Sequence, residues 1–331
     1  MRFVDYQYYN DPLSMVMGLM ILLDGIVGLL CSALIFVSFF NANEKTSFNL
    51  ICLFRAFNNT VNLIVFVTDI STLTLFGWTI YPIELESNAI DFSVMLYTIN
   101  QHICILLVIN RFIALYFPTY YQKLCGIKPT LAVLAILYLI KVIKAAENIY
   151  YMIFKDRKVD FTYYSPDDMM HIFPMDDEIL TNNETNTTDS AALGSQDFAF
   201  STLALAGIAV VLDAVIFGRV IFYYLHQSQD RNLQNNRKKV KKNIRLFFQT
   251  LLQDCLCVVD VSFILYLNRL FQSRFWNFIS WTFVWENVHT LDSLIMLLFA
   301  DQKETLKKLI SKFVKCDKDQ QKWATKIITS Q

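Results

Sequence analysis

The chain alternates between long apolar runs and short polar breaks. One run, GLMILLDGIVGLLCSALIFVSFF over residues 18–40, carries a single charge, Asp24. Apolar blocks of about 20 to 25 residues match an α-helix that crosses a hydrocarbon layer about 30 Å thick. Inside lipid every backbone N–H and C=O must be bonded within the protein, which leaves helices or closed barrels. These blocks lack the period-two alternation of barrel strands, so they read as helices. Seven spans are predicted, at about 15–40, 48–72, 90–115, 129–153, 199–225, 245–269 and 277–300. The expected fold is an all-α membrane protein: a seven-transmembrane helix bundle over 15–300, preceded by a short N-terminal segment, 1–14, and followed by a tail, 301–331. The connections are short except for a long polar loop, 154–198, and a basic one, 226–244. No internal repeat is visible.

Composition agrees with the pattern. The chain is 55% hydrophobic and 18% charged, with a mean hydropathy of +0.38, and a soluble globule of this length carries more charge. The first apolar run is too long for the core of a signal peptide and follows about a dozen polar and aromatic residues, so it is expected to stay in the membrane as the first span.

Charge placement orients the bundle. With the N-terminus outside, six Lys and Arg flank the spans on the outer side and nineteen on the inner side, which is the asymmetry of the positive-inside rule. The long loop 154–198 then lies outside. It holds two glycosylation acceptors, Asn183 and Asn186, and such acceptors are modified on that side of the membrane. A third match, at Asn58, lies within the second span and is expected to be unused. In the tail, Leu306, Leu309, Ile310, Phe313 and Val314 share a helical face while lysines occupy the others. This amphipathic helix suits an anionic inner leaflet. Cys316 follows it, as an acylation site or as a free thiol. The other cysteines lie within apolar runs or on the inner side, so no disulfide framework is indicated. Cys255 and Cys257 are spaced for packing, and no further ligand completes a metal set. No metal or cofactor is expected.

The third span ends in the stretch NRFIALYFPTYYQKL, beginning at Asn110. It resembles the D/E-R-Y-x-A-I-x-x-P-x-x-Y stretch that closes the third helix of rhodopsin-like G-protein-coupled receptors. Arg111 takes the arginine place, Phe112 the tyrosine, Ala114 the alanine, Pro118 the proline and Tyr121 the later tyrosine, while Asn110 stands where the family has an acid. The resemblance is closest to the nematode serpentine chemoreceptors of class x, which similarly carry N-R-F. KTSFNLICLFRAFNNTVNLIVF looks like their second helix, and FISWTFVWENVHTLDSLIMLLF, with its W-E and H-x-x-D pattern, looks like their seventh. The likeness covers roughly 20–300. It implies a plasma-membrane receptor, in sensory cilia or elsewhere, with an extracellular small-molecule or peptide ligand and a heterotrimeric G protein as partners, and no nucleic acid. It also implies that Asn110, Arg111, Pro118 and Tyr121 belong to the coupling switch. The missing acid implies that the resting state is held by other contacts or is less tightly held.

The chain departs from the rhodopsin-like pattern elsewhere. No cysteine is available to tether the long loop to the third span, the sixth span has no proline, and LDSLIM stands where NPxxY is expected.

Polar residues inside the spans are the remaining candidates, since intramembrane ionisable groups mark either function or a helix-holding polar network. Arg55, Asn59, Asn62, Phe66 and Asp69 fall on one face of the second span, Gln253, Cys257 and Asp260 on one face of the sixth, and Trp281, Trp285, His289 and Asp292 on one face of the seventh. His102 is expected to be a packed, satisfied histidine. A ligand arriving from outside is expected to meet Tyr97, Asn100, Asp260, Trp281, Trp285, Glu286 and His289, with Asp292 deeper and part of the switch. The basic loop 226–244 serves a G protein or anionic lipid; sequence favours neither. A seven-span transporter or ligand-gated channel is the alternative, although matching halves and Gly/Pro-broken helices are missing. No H-E-x-x-H, G-x-S-x-G or P-loop pattern points to an enzyme.

Epitope tags at the two termini test the orientation. On unpermeabilised cells the N-terminal tag is expected to stain and the C-terminal tag to stay dark; the reverse would give the inside-N-terminus topology of insect-type odorant channels.

Overall fold

A computed structural model of the protein describes residues 2–3, 11–40, 46–79, 82–154, 163–165, 170–172, 187–227 and 233–299. Asn183, Asn186, the tail and Cys316 lie outside these residues. The apolar runs become seven long helical segments: α1 (Pro12–Phe40), α2 (Ser47–Phe76), α3 (Ile83–Tyr116), α4 (Ile127–Phe154), α5 (Thr187–Gln227), α6 (Leu233–Leu265) and α7 (274–299). Six are long and apolar enough to cross a membrane. The seventh joins Arg274–Asn277, a π-helical stretch Phe278–Phe283 and Val284–Phe299. A second π-helical stretch, Phe66–Ile70, interrupts α2. The chain is a multi-pass membrane protein.

Side chains sort by their surroundings. In α1, Met15, Val16, Leu19, Leu23, Ile26, Val27 and Leu30 are exposed, while Met17, Gly18, Ile21, Gly25, Gly28 and Ser32 are buried. In α4, Leu131, Val133, Ile136, Leu139, Ile140, Val142 and Ile143 are exposed. Apolar surface of this extent is stable against lipid, not water.

The buried stripe of α1 is small because two helices approach it closely. A Cβ on Gly28 would stand 2.5 Å from Thr290 Oγ1 and 2.6 Å from Leu63 Cδ1. In lipid such close backbone approach replaces the hydrophobic drive as the source of helix association.

The bundle has two faces. One carries Arg111, the start of α2, and a short helix, Tyr121–Cys125, between α3 and α4. The other, the hairpin face, carries two small antiparallel pairs. Strand β1 (Arg2–Phe3) pairs with β2 (Trp78–Thr79), and β3 (Tyr163–Ser165) pairs with β4 (Met170–Ile172). Gly77 makes the turn into β2, with φ 68° and its N–H on Leu73 O at 3.0 Å; only glycine adopts this left-handed geometry at no steric cost. On the same face Arg274 pairs with Asp11 at 3.3 Å, tying the start of α7 to the start of α1.

The elements extend beyond the predicted limits in one instructive place. α3 begins at Ile83, not near 90, so the acidic stretch IELESNAID is helical. Its 34 residues span about 51 Å at 1.5 Å per residue. Tyr97 therefore lies midway along the helix. The loop 154–198 likewise contains ordered structure, since β3, β4 and the start of α5 fall inside it.

Leucine at position 28 is expected to push α1 off α7. Gly28→Leu should lower the midpoint of thermal unfolding in detergent by several degrees and cut the yield of folded receptor. Gly207→Leu should change neither, because no atom lies within 4 Å of the place a Cβ would take there.

Candidate functional site

Three layers fill the bundle between its faces. The first, under the hairpin face, is aromatic. Phe66 and Ile70 from the π stretch of α2 pack with Phe278, Ile279 and Phe283 from the π stretch of α7, with Trp285, Met17 and Ile21, and with Tyr164 of β3. Tyr164 is 2% exposed, and its backbone N–H reaches Glu86 Oε1 at 3.4 Å. The hairpin is thus anchored in the bundle by an inserted ring, in place of the absent cysteine tether. Both π stretches lie here, and single π turns inside α-helices concentrate at functional sites.

Tyr97 joins this layer to the next. Its ring meets Trp285 edge-on at 6.1 Å and His289 at 6.1 Å, and its hydroxyl donates to Asp260 on α6. Trp285 in turn meets Phe66 at 5.4 Å. Tyr97, Asp260, Trp285 and His289 belong to three separate helix faces in the sequence pattern, and the fold brings them together.

The second layer is a polar belt that converges on Asp292. Arg55 Nε donates to Asp292 Oδ2 at 2.7 Å, Asn59 to the same oxygen at 2.6 Å, and Gln253 to Oδ1 at 2.8 Å. Arg55 also reaches Cys104 Sγ at 2.7 Å. His289 bridges Asn59 and Asn62, with both contacts at 3.0 Å. Asn62 Nδ2 donates to His289 Nε2, so the Nδ1 proton must face Asn59 Oδ1, which assigns a neutral tautomer from the network. Asn100 donates to Asn59, Asn58 donates to Asn100, and Tyr138 on α4 donates to Asn58 at 2.5 Å. Ser93 closes on Asn62, and Ser32 of α1 on Ser293. Every long helix except α5 contributes a side chain.

The third layer surrounds Arg111. Its Nη1 donates to Thr250 of α6, and its guanidinium lies 5.1 Å from the ring centre of Phe48 on α2. Nε and Nη2 have no hydrogen-bond partner. Asp213 of α5 and Asp254 of α6 are buried on the two helices that pack against α3, and neither forms an ion pair with Arg111. Asn110 is 3% exposed, and its side-chain oxygen is unpartnered. Pro118 opens the turn after α3, and Tyr121 beyond it bonds Ser47 at the start of α2 at 2.9 Å. The proline-tyrosine spacing therefore fastens the α3–α4 connection to α2.

Some candidates stand apart. Glu286 faces α1, not the Tyr97 cluster; its Oε1 would lie 3.0 Å from a Cβ on Gly25. Trp281 is partly buried on the π stretch of α7. Asn58, a glycosylation match by sequence, is 0% exposed. His102 bonds Thr98 O at 2.8 Å, as a packed histidine should. Thr250 and Asp254 carry no motif and are recognisable only once α6 is packed on α3. Arg55 and Asp292 are visible in the sequence as intramembrane charges of opposite sign, yet their spacing of 237 residues hides the pairing.

Seven helical segments around a buried polar belt, with an arginine at the end of the third, define a serpentine receptor. The model of the serpentine type 7TM GPCR chemoreceptor Srx family matches residues 22–300, and the chain belongs to that family. No curated protein matches the chain.

The belt tests itself through its charges. Removing one member of a buried ion pair leaves the other uncompensated, at about 3–5 kcal/mol. Asp292→Ala is expected to lower thermal stability by that order, and Arg55→Met combined with Asp292→Leu to recover most of the loss. Losses that simply add, with the double variant losing as much as Arg55→Met and the Asp292 variant together, would mean that the pair is not coupled.

Proposed function

We propose that the protein is a chemosensory G-protein-coupled receptor whose hairpin face is extracellular and whose Arg111 face meets a heterotrimeric G protein. A small molecule or peptide from outside is read in the aromatic layer by Tyr97, Trp285 and their neighbours. The polar belt carries the resulting change in helix packing to Arg111. On this orientation Asn183 and Asn186 are glycan acceptors, the basic loop and tail face the cytoplasm, and Cys316 lies at the inner leaflet. The receptor resides in the plasma membrane and catalyses no reaction of its own.

The observation that carries this reading is how Arg111 is held. An arginine poised to contact a partner must be neither fully paired nor free, because a ligand shifts a two-state balance only by its differential affinity for the states. Here Thr250 of α6 and the Phe48 ring of α2 hold the guanidinium while two of its nitrogens stay unbonded. With Asn110 in the acid's place, no ion pair holds Arg111, and the nearest acids, Asp213 and Asp254, are buried on α5 and α6. Moving α6 away breaks the Thr250 bond and frees Arg111 toward the cytoplasmic face. One hydroxyl bond to a charged group contributes about 1.5–3 kcal/mol, small enough for a ligand to overcome.

Nucleotide exchange on a panel of purified G proteins tests the proposal without a known ligand. Thr250→Val is expected to raise basal exchange several-fold, and Arg111→Ala to abolish it at equal surface level. Undiminished exchange by the Arg111→Ala receptor would remove Arg111 from the coupling role.

A further inference from the structure

The bundle treats its buried carboxylates in two ways. Asp292 is surrounded by Arg55, Asn59 and Gln253, so its charge is neutralised within the protein. Asp260 is as deeply buried, 1% exposed, and receives far less. Its Oδ2 accepts from Tyr97, its Oδ1 has no hydrogen-bond partner, and among the described residues no Lys or Arg lies within ion-pair distance of it. A carboxylate removed from water without a cation is costly, and proteins otherwise pair such groups. The unmet demand sits beside aromatic surface, because the phenol that binds Asp260 is the same Tyr97 whose ring meets Trp285 edge-on. An aromatic face next to an unpaired acid is the chemistry that receives an organic cation. Glu286, 0% exposed with both oxygens unpartnered, faces α1 instead and serves as the control carboxyl for Asp260.

The geometry points to a protonated or quaternary amine as the ligand class: its charge is received by the free oxygen of Asp260, and its hydrocarbon lies against Tyr97 and Trp285. This rests on the reading of the aromatic layer as the ligand site and adds the sign of the ligand's charge. The alternative role for Asp260, that of anchoring the Tyr97 hydroxyl, needs an acceptor but no charge. Asp260→Asn keeps the acceptor and removes the charge, so the two roles separate.

The experiment uses the full-length receptor in lipid nanodiscs. Thermal stabilisation is measured against a panel of aromatic amines, including 2-phenylethylamine and benzyltrimethylammonium, with neutral alcohols and carboxylates of the same shape as controls. At least one amine is expected to raise the unfolding midpoint dose-dependently, its neutral and anionic counterparts to have no effect, and Asp260→Asn to weaken the response at least tenfold without moving the unliganded midpoint by more than a few degrees. Should Asp260→Asn destabilise the receptor more than that, the same comparison is made on Trp285→Phe, which replaces the indole by a smaller aromatic ring with a weaker cation–π face and is expected to retain amine selectivity at reduced affinity. No response to any amine at millimolar concentration, equal response to the neutral isosteres, or loss in Glu286→Gln instead of Asp260→Asn would overturn the assignment. Binding is read with no G protein present. Amine binding by a receptor that fails to drive exchange would therefore sink only the coupling proposal, and Arg111-dependent exchange without amine binding only this one.

Discussion

Everything in the middle of this bundle is arranged to satisfy one carboxylate. Asp292 accepts from Arg55, Asn59 and Gln253, and the amides behind them donate in turn, so hydrogen bonds from α2, α3, α4 and α6 run in one direction toward it. Lipid supplies no competing water, and an unsatisfied polar group there costs several kcal/mol. The belt is therefore close to all-or-none. A helix that rotates must carry its donors to new acceptors, which gives the packing discrete alternatives instead of a continuum. The aromatic layer lies directly against this belt through Tyr97 and His289, and the Arg111 layer lies against it through α6, which supplies both Gln253 and Thr250.

The arginine at the end of α3 illustrates how a missing group is replaced in space when it is absent in sequence. Asn110 removes the adjacent acid, and its own side chain is buried without a partner for its oxygen. Buried carboxyl groups stand near it on α5 and α6, the hydrogen bond comes from Thr250, and a cation–π contact from Phe48. Each of these is weaker than a direct salt bridge would be, and they come from three different helices. Such distributed restraint senses the relative placement of several helices at once.

Much of this is legible in the residues. Hydrophobic run lengths locate all seven spans, because lipid imposes a length on any helix that crosses it. The period of 3.6 places Arg55, Asn59 and Asn62 on one face, and that face is buried as a unit. The family resemblance in 109–126 and in the second and seventh spans agrees with the family match over 22–300. Rotation between helices is what the residues do not reveal. Periodicity fixes which residues share a face but not what that face meets, and depth alone puts Glu286 beside Trp285 among the ligand contacts although Glu286 faces α1. Hydropathy places the start of α3 too late because it undervalues a helix end that is acidic yet buried: Glu86 is 0% exposed. The insertion of Tyr164 leaves no trace in the pattern, since a single tyrosine in a polar loop resembles any other.

The way the hairpin is fastened has a consequence of its own. A covalent tether across the mouth would be set by the redox state of the surroundings and would be either intact or cut. Tyr164 is instead held by burial among Met17, Ile21, Phe66 and Phe278, so its occupancy is an equilibrium that shifts with temperature and with anything that competes for the same apolar space. That attachment is indifferent to reductants.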